Sequence, residues 1–194
     1  MDADRKSGYI VQRGALDEQY PTQRHSPEFL ECLGRTIATF GFLENVLGKA
    51  IFAFTAKKPY QADEVTVALE NWLPQLERSL FDPLGSLIDA YSKAVHAQPD
   101  ASIENFEDLV EDLKAASALR NVFCHGSWGE PDSTGASVPF FVNRQKQRFD
   151  TPIDRNYLEQ VRRNCVALIC SVIDTVTHMG WQFPGSSGPG EVVW

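Results

Sequence analysis

Apolar residues along this chain recur at alternating steps of three and four, the spacing of one face of an α-helix. The clearest run opens at Ser26-Pro27. Serine is a favoured N-cap, and proline at the first helical position gives up only an N–H that would have no partner there. Leu33, Ile37, Phe40, Leu47, Ile51 and Phe54 then mark a stripe, with Glu44 standing where an apolar residue is called for. The pattern predicts a long amphipathic helix to about Ala56, before Lys57-Lys58-Pro59. A carboxylate on a core stripe needs a cation or donors around it, or it shifts its pKa upward.

From Asp63 to Ala97 the pattern is again helical (Val65, Leu69, Trp72, Leu76, Leu80, Leu87, Ile88, Tyr91), but Pro74 and Pro83 interrupt it. Each removes a donor and crowds the preceding turn, so two or three pieces or a kink are expected. After a turn at Gln98-Pro99-Asp100, a third helix is expected to start near Ser102, with Glu104, Glu107 and Asp108 at its positive end and Gly126 as its stop. Its apolar positions are Phe106, Leu109, Val110, Leu113 and Ala116. Beyond Trp128 the periodicity changes. Apolar residues around a polar Asn143–Gln147 centre suggest a small β-hairpin insert over about 136–150. Thr151-Pro152 is expected to open the last helix, whose stripe runs Leu158, Val161, Cys165, Leu168, Val172, Val176 and Met179 to a stop at Gly180. So wide a stripe belongs at a bundle centre or in a dimer seam. The pattern predicts an all-α, up-and-down bundle of four to five helices over residues 26–180, an arm or docked extension over 1–25 and a Gly/Pro-rich flexible tail over 181–194.

Composition narrows the class. The 194 residues suit one domain with a real core. No window approaches ~18 uninterrupted apolar residues, and the N-terminus lacks a secretory apolar run, so a cytoplasmic protein without a membrane span is expected. Cys32, Cys124, Cys165 and Cys170 are too scattered for a disulfide scaffold, without a Cys-x-x-Cys pair for zinc, and read as reduced, mostly buried thiols. The net charge of −8 argues against a broad duplex-DNA surface but leaves room for a local phosphate site. No Gly-rich phosphate loop or paired metal ligands are visible, so neither metal nor cofactor is expected.

The informative stretch is Arg120-Asn121-Val122-Phe123-Cys124-His125, followed by Gly126-Ser127-Trp128. Arg120 lies two heptad-like steps along the buried face from Phe106 through Leu113. On an undisturbed helix Arg120 and His125 point about 140° apart, so they converge only if the arginine reaches round or the helix unwinds near Gly126. Asn121 and His125, at i and i+4, share a side.

Arg120-Asn121-x-x-x-His125-Gly126 resembles the R-x4-6-H signature of the HEPN superfamily (higher eukaryotes and prokaryotes nucleotide-binding), in which a polar residue, often Asn, follows the Arg. Phe40-Gly41-x-Leu43-Glu44 is similar to a glycine-then-glutamate pattern in the first helix of such domains, and a Trp after His-Gly is common there. The resemblance spans roughly 27–180. It implies an α-helical, homodimeric bundle and, in many members, a metal-independent endoribonuclease of toxin–antitoxin or antiviral type. By that resemblance His125 takes the proton of a ribose 2′-OH, Arg120 stabilises the phosphate's developing charge, and Asn121 orients the histidine or binds a phosphate oxygen. Glu44, Ser127 and Trp128 are the supporting residues. RNA is then the expected substrate, and an antitoxin or regulatory protein a possible partner.

The same residues fit a scaffold. Arg120 can neutralise Glu44 inside the bundle, and His125 can complement the negative end of its helix, as in members that have lost cleavage and act as nucleotide- or protein-binding modules. His25 and His96 are expected at exposed element ends, and His178 near the end of the last helix. Phe-rich 138–149 with Arg144, Lys146 and Arg148 reads either as a single-stranded RNA surface or as a cover for the core.

Overall fold

The computed structural model describes residues 12–56 and 83–186. Among the described residues four helices pack together: α1 (Pro27–Ala56), α2 (Leu84–His96), α3 (Phe106–His125) and α4 (Arg155–His178). The expected helical pieces between Asp63 and Leu80 lie outside the described residues.

The predicted start of α1 is reproduced, with Ser26 Oγ accepting from the Phe29 N–H at 3.1 Å. α3 begins later than expected, at Phe106, because Asn105 adopts a left-handed φ of 56° and breaks the turn before it. Glu107 and Asp108 still occupy its positive end. α4 also starts late. Pro152 stays outside the helix because its neighbour Ile153 is buried and exchanges two 2.9 Å backbone hydrogen bonds with Ser137. Asp154 becomes the N-cap instead, accepting from the Tyr157 N–H at 2.7 Å. Gly180, at φ 72°, follows the end of α4 as expected.

Contacts fix the directions. Thr36 Oγ1 donates to the Leu158 carbonyl at 3.3 Å near the starts of α1 and α4, while Phe54 meets Trp181 at 5.4 Å near their ends. α1 and α4 are therefore parallel. His96 and Asp89 of α2 reach Glu107 and Lys114 of α3 at 2.9 and 3.7 Å, so α2 and α3 are antiparallel. α3 also runs against α1. Phe40, Leu43, Leu47, Phe54, Leu87, Ile88, Leu113, Leu158 and Val172 fill the centre, each large side chain contributing ~1.5–3 kcal/mol relative to exposure. In α4, Ile169 rather than Leu168 completes the buried stripe. Buried Tyr91 donates to or accepts from Thr175 at 2.8 Å, so its hydroxyl is not left unpaired. Past Gly180, Phe183 is buried.

The expected β-hairpin is corrected. Among the described residues there is no strand, only isolated antiparallel bridges Ser127↔Phe140, Ser137↔Ile153 and Val142↔Arg148. Each bridge uses a different partner segment, and Pro139 has no N–H to extend a ladder. The segment is an ordered cover. Asp132 Oδ1 accepts from Thr134 N at 2.8 Å, Thr134 Oγ1 at 2.6 Å and Ala136 N at 3.1 Å, which holds the carboxyl below its usual range.

α1 is, by length and composition alone, long and apolar enough to cross a membrane. Eleven of its residues are nevertheless buried here against the other helices. Cys32 and Cys165 are buried, whereas Cys124 and Cys170 are exposed, so half of the free thiols depart from the expected burial.

Candidate functional site at the end of helix α3

Arg120 and Glu44 face one another because α3 crosses α1 antiparallel, bringing the vacancy in the α1 stripe opposite the polar residue in the α3 stripe. Arg120 Nη2 lies 3.2 Å from Glu44 Oε1, with the two side chains 24% and 27% exposed. Nη1 donates to Asn121 Oδ1 in a long 3.4 Å contact. Glu44 Oε1 is itself closed to solvent and accepts no well-aligned hydrogen bond among the described residues, so it is balanced mainly by the nearby charge. The arrangement leaves the guanidinium at the edge of the bundle, partly wet and pre-oriented.

His125 is the last residue of α3 and is exposed. It makes no hydrogen bond or ion pair among the described residues. α3 stays regular to its end, and the Gly126 N–H closes a normal turn on the Val122 carbonyl at 2.8 Å. The unwinding that would swing His125 toward Arg120 does not occur before Gly126. Arg120, Asn121 and Glu44 are thus gathered, while His125 stands one turn further on, directed away around the helix. Gly126 is required by space. A Cβ there would stand 2.5 Å from the Val122 carbonyl oxygen and 2.8 Å from Pro139 Cβ.

The remaining expected residues have structural partners. Ser127 is exposed but its backbone exchanges hydrogen bonds of 3.0 and 2.8 Å with Phe140. Trp128 packs edge-on to Phe29 at 5.4 Å and tilted to Phe123 at 6.4 Å, closing the end of the core.

His25 departs from expectation. It is only 8% exposed, stacked on Phe29 at 5.1 Å with its edge toward Trp128. Its Nε2 has no partner among the described residues, and desolvation lowers its pKa. Beside it, Arg24 pairs with Glu130, tying the chain before α1 to the loop after α3. Spacing could not disclose this cluster, because it joins segments distant in sequence. His96 is exposed as expected, donating from Nδ1 to the Ser92 carbonyl and pairing with Glu107 through Nε2, interactions that raise its pKa. His178 Nδ1 meets the Asp174 carbonyl at 2.8 Å, in keeping with its place at the end of α4.

Among the described residues, no group of three or more His, Cys, Asp or Glu side chains is placed to hold a metal ion. The chain matches no family model, no curated protein and no solved structure.

Proposed function

We propose that this chain is a HEPN-like, homodimeric endoribonuclease that cleaves RNA without a metal through its own 2′-hydroxyl. The supporting observation is a guanidinium fixed by a carboxylate at a partly exposed helix edge, with an exposed imidazole on the next turn. An imidazole removes the 2′-OH proton as the 2′-oxygen attacks the adjacent phosphorus. The 2′-O–P bond forms, the P–O5′ bond breaks, and the 5′-oxygen leaves with a proton from the imidazolium or water. Arg120 is permanently charged and offers a planar fork to the phosphate as its charge builds. Asn121 already contacts that fork and positions it.

Because Arg120 and His125 diverge around α3, the pairing that suits one phosphate is Arg120 of one copy with His125 of another. Two such motifs would also concentrate positive charge on an acidic protein. A cytoplasmic toxin or defence enzyme restrained by a partner protein is the setting that this reading implies.

The Arg120–Glu44 ion pair favours a second reading, in which the arginine is a strut and the domain binds a nucleotide or protein without cutting RNA. Incubating RNA with the parent protein in EDTA separates the two readings. Cleavage abolished by His125→Ala supports the enzyme; no cleavage by folded parent protein supports the binding module. His125→Ala is the cleaner variant, because the exposed ring has no partner to strand among the described residues, whereas Arg120→Ala strips Glu44 of its counter-charge.

A further inference from the structure

Between Asp132 and Asp150 the chain carries Arg144, Lys146 and Arg148 and no carboxylate, in a protein of net charge −8. The same segment turns apolar side chains outward. Val138, Phe140 and Val142 are 38%, 59% and 45% exposed, while the intervening Pro139 is buried and Phe141 half-buried. Alternation in an extended chain puts the three exposed residues on one outer face.

The face is held in place. Phe140 is hydrogen-bonded to Ser127, two residues past His125, so the strip starts beside the end of α3. The Val142↔Arg148 bridge brings the Arg148 guanidinium to 5.4 Å from the Phe140 ring centre. Asn143 fastens the turn between them, bonding Gln147 through backbone and side chain at 2.9 Å. Lys146, at φ 62°, stands at its tip.

We propose that Phe140 and Arg148 form a base-stacking platform for single-stranded RNA, with Arg144 and Lys146 tracking the phosphates. Flat apolar surface together with local positive charge matches what an unpaired strand presents: a π face and an anionic backbone. The choice of RNA rests on the ribonuclease reading above, and the platform extends that site along the strand from His125.

The test is the affinity of the full chain for a fluorescent 2′-O-methyl oligoribonucleotide, which 2′-OH chemistry cannot cut. Loss of one stacked base corresponds to weakening by roughly 5- to 150-fold in Phe140→Ala, with Phe140→Trp retaining affinity and Arg148→Ala lowering its salt dependence. Phe140 is exposed, and circular dichroism checks that each variant stays folded. KM for a long RNA should rise in Phe140→Ala. Phe140-dependent binding without any cleavage would leave the platform standing and remove the ribonuclease reading. Cleavage with affinity and KM insensitive to Phe140 would overturn the platform alone. So would equal affinity for duplex RNA, absence of binding, or a Phe140→Ala effect confined to self-association in sedimentation, which would make the strip a contact between copies.

Discussion

Arg120 Nη2 stands 3.2 Å from Glu44 Oε1, joining the last turns of α3 to the middle of α1 in a largely shielded ion pair. The two partners are unequal. Arg120→Ala leaves a carboxylate oxygen closed to solvent without its cation, whereas Glu44→Gln leaves a guanidinium that still reaches water. Arg120→Ala should therefore cost more stability, about 1–3 kcal/mol, and Glu44→Gln less. Replacing both with apolar residues should recover most of the loss. Urea unfolding of the three variants measures the order.

Gly126→Ala should destabilise the protein by about 1–3 kcal/mol or more, since both of its close neighbours are fixed atoms and one is backbone. A lowered Tm is the expected result. Gly41, where an added Cβ meets nothing within 4 Å, provides the control, and Gly41→Ala should be neutral or slightly stabilising.

The two histidines near the helix ends should give opposite pH dependences. His25 has a folded pKa below its ordinary 6.5, so the unfolded chain binds the proton more readily. Its contribution is present above 6.5 and is lost as pH falls toward the lowered value. His96 has a folded pKa above 6.5, so its pairing with Glu107 contributes fully below 6.5 and is lost as pH rises through the raised value. Stability profiles of His25→Phe and His96→Gln between mildly acidic and mildly basic pH separate the two: the first should flatten the acid-side loss, and the second the loss toward higher pH.

If the site is shared between copies, Arg120→Ala and His125→Ala proteins, each inactive alone, should regain part of the activity when mixed under conditions that exchange subunits. One interface of the heterodimer would then hold both intact groups. Persistent inactivity of a demonstrated heterodimer would place the two residues in a single-copy site or in none.

How far the sequence could be read follows from the range of each interaction. The start and stripe of α1 are legible because its cap and periodicity are local, and the misplaced Glu44 is visible as the break in that stripe; the expected stop at Lys57-Lys58-Pro59 lies outside the described residues. Its neutralisation by Arg120 was available as an alternative, since both residues lay on buried phases. The starts of α3 and α4 were less legible. A left-handed Asn105 and the pairing of Ile153 with Ser137 override Ser102 and Thr151-Pro152 as caps, and neither is written in local spacing. The hairpin expectation rests on apolar residues flanking a polar centre, a pattern that does not register the missing N–H of Pro139 or the different partners that Ser127, Ser137 and Val142 find. Burial of His25 depends on Trp128, about a hundred residues away, closing over the ring and its near neighbour Phe29, and no periodicity carries that long-range half of the information.

The most direct measurement is the chemistry of the cut ends. RNA treated with the parent protein in EDTA should carry 2′,3′-cyclic phosphate and 5′-hydroxyl termini, which disappear with His125→Ala while the fold remains intact. Termini of the opposite kind, 3′-hydroxyl with 5′-phosphate, or cleavage that persists in His125→Ala, would contradict the account.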